Sequence, residues 1–199
     1  SVAWATERKD VLNAFFFLLG LHAYVSYSKA LKPGWYILTL LCFVLSLLSK
    51  AMTVTMPLVL IIMDFYPLKR AGAEIKRILI EKLPFFALSL AAGLVSIWSQ
   101  SGSSLASLES MPLFTRLYIS ARGILFYLYK TIWPVDLAPL YLIDLDDLSQ
   151  LRFAIYVAAI LAITALSVIA MKKSRALFSA WAYYVITLLP VIGIIQVGK

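Results

Sequence analysis

The residues best suited to chemistry in this sequence are charged side chains beside long apolar segments. Glu7, Arg8, Lys9 and Asp10 come directly before a run rich in Phe and Leu, and Lys50 separates two apolar runs in "LLSKAMTVTMP". Ionisable groups at membrane depth cost several kcal/mol, so they usually pair with one another or serve a function. Lys and Arg are also common protein partners of phosphate groups. These residues therefore predict either local ion pairs or a phosphate site.

The phosphate site would need cations at the ends of apolar helices. Lys50 is the strongest individual candidate, because an unbroken apolar run precedes it and the hydroxyls of Thr53 and Thr55 can add hydrogen bonds. Glu7 and Asp10 are candidates for orienting the cations. Snorkelling or simple ion pairing is the alternative for each residue. The candidate phosphate contacts are Arg8, Lys9, Lys50 and Arg122.

The composition indicates a membrane protein. Of the 199 residues, 62% are hydrophobic and 14% are charged, whereas a typical soluble domain has about 25% charged residues. The net charge of +8 is typical of basic loops that face anionic lipid, and no basic stripe interleaved with exposed aromatics suggests nucleic acid. We therefore expect membrane lipid, and not nucleic acid, as a partner.

The apolar blocks predict an all-α fold, a polytopic bundle of transmembrane helices that occupies residues 1–199 as a single domain fragment. We place the spans from apolar length and from Pro, Gly and charged residues between the runs. The second and third spans are shorter than the roughly 20 residues that cross a bilayer, which predicts a thinned or water-filled region there. The six predicted spans lie near residues 11–27, 35–48, 54–65, 83–98, 153–171 and 177–195.

Clusters of Lys and Arg predict which loops face the cytoplasm. Segments 28–34, 67–82 and 172–176 carry such clusters. The charged phrase at 7–10 and the loop at Lys50 then lie on the outer or lumenal side. We expect an integral protein of the bacterial inner membrane, or of the endoplasmic reticulum membrane in a eukaryote.

This assignment leaves both ends of segment 113–133 on the outer side. Arg116, Arg122 and Lys130 interrupt the segment, and its aromatic residues suit a membrane interface. We therefore predict a re-entrant or interfacial helix. The alternative is a true span, with one loop assigned to the wrong side.

No residue pattern predicts a metal or cofactor site. His22 has no ligand partners nearby, and Cys42 is the single cysteine. Asp144, Asp146 and Asp147 lack the glycine and ligand series of a Ca²⁺ loop, and helix N-capping by Asp146 or Asp147 is the preferred interpretation. Motifs of phosphate loops, dinucleotide folds, serine hydrolases and zinc proteases do not occur in the sequence.

Several phrases of the sequence resemble one family. They are "SVAWATERKDVLNAFFFLLGLHAYVSY", "LSLLSKAMTVTMPLVLIIMDFYPLKR", "EKLPFFALSL", "YKTIWPVDLAPLY" and "LLPVIGIIQVG". In this order they are similar to the membrane region of bacterial tetratricopeptide-repeat membrane proteins. The eukaryotic relatives are the transmembrane and tetratricopeptide-repeat-containing O-mannosyltransferases, which are glycosyltransferases of the C-type fold. The resemblance covers nearly the whole chain.

The resemblance implies a partial C-type fold and transfer of a sugar, such as mannose, from a polyprenyl-phosphate donor. The acceptor would be a protein or glycan on the outer side. In that family, a loop with paired acids precedes the opening phrase and is assigned the catalytic carboxylate. We therefore expect the catalytic residue before Ser1, and its identity is unknown. We expect this internal fragment to be inactive alone, and a divalent metal in the full-length parent stays open.

The matched phrases contain the candidate residues at 7–10 and Lys50. The phosphate of a lipid-linked donor would lie at the outer membrane edge, where Lys50, Arg8 or Lys9 could neutralise it as it leaves. A transporter or flippase for lipid-linked sugars is an alternative, as is a noncatalytic scaffold for downstream repeats. Paired acids in the upstream loop favour the enzyme, and their loss favours the scaffold.

Overall fold

The computed structural model describes residues 5–70, 75–100, 112–135 and 149–191. Within those ranges the structure is helical and has no strand, which confirms the all-α prediction for this part of the chain. The helices are α1 (Ala5–Ala30), α2 (Pro33–Ser49), a short 3-10 helix (Ala51–Thr55), α3 (Met56–Phe65), α4 (Ile75–Gln100), α5 (Leu113–Ile132), α6 (Gln150–Ala170) and α7 (Arg175–Leu188).

Three helices are long and apolar enough to cross a membrane. They contain the stretches Arg8–Ala30 in α1, Ile75–Ser96 in α4 and Gln150–Ala170, which is all of α6. The predicted spans near 35–48 and 54–65 correspond to α2, with 17 residues, and α3, with 10 residues. Six spans therefore remain a prediction. Among the described residues, three of them correspond to helices of sufficient length, and the predicted span near 177–195 continues past the last described residue.

Two helices begin earlier than the sequence pattern predicts. α1 starts at Ala5, so the charged phrase at 7–10 forms its first turns and does not end a loop. α4 starts at Ile75 and continues through Pro84, although the charge pattern predicts a loop over 67–82. Several of these charged side chains have partners of opposite charge, since Asp10 pairs with Lys50, Arg77 with Glu81 and Lys82 with Asp64.

Two further predictions from the sequence concern the placement of α5 and the N-cap of α6. α5 covers most of 113–133 as one helix of 20 residues, and it is not among the helices apolar enough to span. Its re-entrant or interfacial placement stays a prediction. The N-cap of α6 is Ser149, whereas Asp146 and Asp147, the predicted caps, lie outside the described residues.

The chain divides into two compact units. The first contains Ser1–Gly102 and Ala182–Thr187, and the second contains Ser103–Trp181 and Leu188–Lys199. In the first unit α1 packs along α2, and α4 packs against α2, α3 and the 3-10 helix. Their shared core consists of Tyr24, Tyr27, Phe43, Met56, Leu60 and Phe85.

The turn between α1 and α2 is short. The N–H of Leu31 donates to the carbonyl of Tyr27 at 2.7 Å, and Leu31 has a φ of 51°, the left-handed conformation that commonly ends a helix. Pro33 then begins α2, at a helix position where a missing N–H removes no hydrogen bond. The chain therefore reverses direction, and the C-terminal end of α1 lies beside the N-terminal end of α2.

The second unit is held together by aromatic contacts. The ring centroid of Phe153 on α6 lies 5.3 Å from that of Phe114 and 6.4 Å from that of Tyr118, both on α5. The indole N–H of Trp181 on α7 donates to the Thr164 hydroxyl of α6 at 3.0 Å.

Candidate functional site

The end of the first unit at which α2 stops brings two of the predicted residues together. The Nζ of Lys50 lies 2.5 Å from Oδ1 of Asp10, and the two side chains are 31% and 38% exposed. α1 positions Asp10 on its second turn, and α2 ends where the N–H of Lys50 donates to the carbonyl of Ser46 at 2.9 Å. The pair therefore lies between the start of one apolar helix and the end of another.

A set of polar side chains connects the helices next to this ion pair. The hydroxyls of Ser46 and Thr53 lie 2.6 Å and 2.5 Å from the amide oxygen of Asn13, to which both donate. These contacts join α1, α2 and the 3-10 helix. Thr53 is therefore occupied with Asn13, whereas the sequence suggested that its hydroxyl could serve a ligand. We use the name Lys50 site for Asp10, Asn13, Ser46, Lys50 and Thr53.

The other predicted contacts are distributed between the two units. Arg8 and Lys9 are exposed on the first turns of α1, next to Asp10 in the sequence. Glu7 belongs to the same helix, but its side chain lies outside the described part of the structure. Arg122 is half-buried on α5, in the second unit.

The Lys50 site has the chemistry of an anion site. The Lys50 ammonium has three N–H donors, and its partial exposure leaves it accessible to a ligand. Asp10 and an incoming phosphate would compete for this ammonium, because both present anionic oxygen acceptors. Removal of the Asp10 charge should therefore favour the binding of an anion to Lys50.

At the end of the first unit away from the Lys50 site lie buried charges that were not predicted from the sequence. The side chains of Lys82 and Asp64 are 0% and 1% exposed, and Nζ of Lys82 lies 2.6 Å from Oδ2 of Asp64. The hydroxyl of Tyr24 donates to Asp64, at 2.8 Å from Oδ1 and 2.6 Å from Oδ2, and it also contacts the Lys82 ammonium. Tyr24 is fourteen residues from Asp10 on α1, a separation of about 21 Å along the helix.

Arg70 and Glu81 extend this group of charges. One guanidinium nitrogen of Arg70 donates to Asp64 at 3.2 Å, and the other donates to Glu81 at 3.1 Å. The hydroxyl of Tyr27 donates to Glu81 at 2.9 Å, and the guanidinium carbon of Arg70 lies 5.7 Å from the centroid of the Tyr27 ring. We use the name buried charge cluster for Tyr24, Asp64, Arg70, Glu81 and Lys82.

Within this cluster two carboxylates face two cations, and the exposed Arg77 also donates to Glu81 at 3.2 Å. Burial lowers the pKa of the Arg70 guanidinium, but the interactions with Tyr24, Asp64 and Glu81 raise it by more. Arg70 therefore stays protonated. Removing one partner from a buried ion pair destabilises a protein by about 3–5 kcal/mol, because a buried charge is left without compensation. The cluster thus ties α1, α3, the segment after α3 and α4 into one arrangement.

One sequence signal could have indicated this cluster. Asp64 ends the apolar run "LVLIIMD", and Glu81 with Lys82 interrupts the apolar stretch "ILIEKLPFF". A charge within an apolar run needs a partner. The spacing does not identify that partner, however, because several cations follow Asp64. They are Lys69, Arg70, Lys76, Arg77 and Lys82.

The described residues contain no group of three or more side chains suited to hold a metal ion. The aspartates at positions 136, 144, 146 and 147 lie outside those residues. Comparison with known protein families, curated proteins and solved structures gives no match. The structure therefore assigns the protein to a broad class only. Its described part is helical, and three of its helices are long and apolar enough to span a membrane.

Proposed function

We propose that this chain is part of a membrane glycosyltransferase, and that Lys50 contacts the phosphate of its polyprenyl-phosphate sugar donor. The observation that supports this proposal is the position of Lys50, which is partly exposed between the ends of two apolar helices. A lipid whose chain lies in the bilayer presents its phosphate at the membrane edge, where the charge pattern predicts Lys50 to lie. The residue phrases that resemble the glycosyltransferase family supply the type of reaction.

The proposed reaction is transfer of the sugar to a hydroxyl of a protein or glycan on the outer side of the membrane. The acceptor oxygen forms a bond to the anomeric carbon as the bond from that carbon to the phosphate oxygen breaks. The polyprenyl phosphate leaves with the bonding electrons, and Lys50 stabilises its negative charge. The acceptor proton goes to a base.

Two substitutions with opposite expected effects test the phosphate contact. Lys50→Ala should weaken the binding of undecaprenyl phosphate to the full-length protein about ten- to a hundredfold, because a hydrogen bond to a charged group contributes about 1.5–3 kcal/mol. Asp10→Asn should strengthen binding, since it removes the anion that competes for Lys50. Thermophoresis in detergent micelles measures both affinities.

The control is Lys172→Ala, which removes an exposed lysine of the second unit and should leave binding unchanged. If Lys50 and Asp10 form only a structural ion pair, neither substitution changes the affinity, and the phosphate contact is refuted. An assay with a radiolabelled sugar donor then separates enzyme from transporter. Movement of the labelled lipid across a vesicle without sugar transfer to an acceptor would favour the transporter.

A further inference from the structure

Four exposed lysines lie at the end of the first unit that contains the buried charge cluster. Lys29 is in the last turn of α1, and Lys32 is in the turn that leads into α2. Lys69 follows α3, and Lys76 is in the first turn of α4. The pair Lys29 and Lys32 is distant in the sequence from the pair Lys69 and Lys76, so only the fold can bring both pairs to one end. We use the name basic surface for these four residues.

The contacts of Glu81 bring the segments that carry the four lysines close to one another. Tyr27, in the last turns of α1, donates to the Glu81 carboxylate at 2.9 Å. Tyr36, in the first turn of α2, donates to the Glu81 backbone carbonyl at 2.8 Å. Arg70 binds Glu81 and Asp64 together, which connects the end of α3 to α4. All four lysines therefore belong to segments that meet at this end of the unit.

The charge at this end is not neutralised by the described acids. In this part of the unit, the described carboxylates are Asp64 and Glu81, and both are occupied by the buried cations Arg70 and Lys82. Glu81 also pairs with the exposed Arg77 at 3.2 Å, so three cations share these two carboxylates. A third acid, Glu74, lies outside the described residues. Because the described carboxylates are already shared by these three cations, the outward lysines carry an excess of positive charge.

Exposed apolar residues lie close in the sequence to three of these lysines, Lys29, Lys32 and Lys76. Such a pattern is typical of helix ends at the boundary between hydrocarbon and headgroups, where Lys side chains extend from apolar surface toward polar surroundings. A surface for nucleic acid or for an acidic protein would not need exposed large apolar residues near most of its cations. The exposed apolar residues are Leu31, Trp35, Ile75, Leu79 and Ile80.

We propose that the basic surface binds the headgroups of acidic phospholipids. The positive charge meets the phosphates of the adjoining leaflet, while Leu31, Trp35 and Ile75 contact the upper part of the acyl chains. Juxtamembrane lysines attract anionic lipid over distances of about one Debye length. This site lies at the opposite end of α1 from the Lys50 site, and it does not depend on the proposed sugar transfer.

The test compares two lipids at the surface of the full-length protein in nanodiscs of phosphatidylcholine. The probe is a trace of spin-labelled phosphatidylglycerol or, separately, spin-labelled phosphatidylcholine, and electron paramagnetic resonance measures the fraction immobilised by the protein. We expect phosphatidylglycerol to associate at least about threefold more strongly in low salt. The preference should decrease as salt rises to roughly 0.5 M, where charges are screened within a few ångströms.

Three variants separate the effect of charge at the basic surface from the effect of charge elsewhere on the protein. Replacement of all four lysines by Gln should remove most of the preference for phosphatidylglycerol, whereas replacement of all four by Arg should retain it. A variant with Lys172→Gln and Lys173→Gln, at exposed positions of the second unit, should also retain it.

The proposal is wrong if the unaltered protein immobilises both lipids equally. It is also wrong if the four-Gln variant keeps the full preference, or if the second-unit variant alone loses it. Circular dichroism checks that the variants fold. If the four-Gln variant does not fold, the four single Lys→Gln variants replace it, and a set of singles that leaves the preference unchanged refutes the proposal.

Discussion

At the scale of residues, the buried charge cluster connects several helices of the first unit. Lys82 has no exposed surface, and its ammonium contacts Asp64 and Tyr24. Lys82→Met keeps most of the side-chain volume but leaves Asp64 without its closest cation. We expect this variant to lose about 3–5 kcal/mol of the free energy of unfolding, measured by unfolding of the full-length protein in mixed micelles.

A double-mutant cycle shows whether the ion pair itself is responsible. Asp64→Leu removes the opposite charge, and the double variant with Lys82→Met replaces the pair by apolar groups. Because a buried pair can often be replaced with little net cost, the double variant should be more stable than the two separate losses predict, by about 0.5–3 kcal/mol. Additive losses would mean that Asp64 and Lys82 stabilise the unit independently.

At the scale of elements, the contact between α1 and α2 depends on a small residue. A Cβ atom added at Gly20 would lie 2.8 Å from the Met56 methyl group and 3.3 Å from the Cβ of Cys42. The flexible end of Met56 can move, but Cys42 belongs to the facing helix. Gly20→Leu should therefore separate the helices and destabilise the first unit by about 1–3 kcal/mol, measured as a lower midpoint of thermal unfolding.

Gly93 provides the matched control for this substitution. It is also inside a helix, α4, and a Cβ atom there would meet nothing within 4 Å. Gly93→Leu should raise the midpoint slightly or leave it unchanged, because leucine has a higher helix propensity than glycine by somewhat less than about 1 kcal/mol. Equal effects at both positions would show that helix propensity, and not the close approach of α1 and α2, controls stability.

The sequence predicts the helical content and the candidates Lys50 and Asp10, because apolar runs and isolated charges are local features. It does not predict that α4 begins at Ile75, before the charged residues Glu81 and Lys82. A local pattern assigns such charges to a loop, since it contains no information about which cations and anions meet. The partners come from the packing of α1, α3 and α4, which brings residues tens of positions apart into contact. The contact between Asp10 and Lys50 also comes from helix packing. The sequence suggested both residues as candidates but did not predict that these two side chains meet.

At the scale of the whole molecule, the orientation of the first unit can be tested through its single cysteine. Cys42 is buried, and Cys42→Ala should give a background that does not label. The apolar stretch Arg8–Ala30 has 23 residues, about 35 Å of helix, which is enough to cross the hydrocarbon layer. Cysteines at Lys9 and Gly34 should therefore react with an impermeant maleimide from opposite sides of sealed vesicles. Reaction from the same side would show that α1 does not span.

The Cys42→Ala variant can also be used to test whether α5 spans the membrane or lies at its interface. Leu113 and Trp133 bracket this helix, and both are exposed. Twenty residues are long enough to cross a bilayer, so length alone does not distinguish a span from an interfacial helix. Three cations within α5, which resist burial in hydrocarbon, favour the interfacial placement. Cysteines at Leu113 and Trp133 should then both react with the maleimide from the same side of the vesicle membrane. This should be the side from which Lys9→Cys reacts. Labelling from opposite sides would make α5 a true span and would reverse the assigned side of one of its two flanking loops.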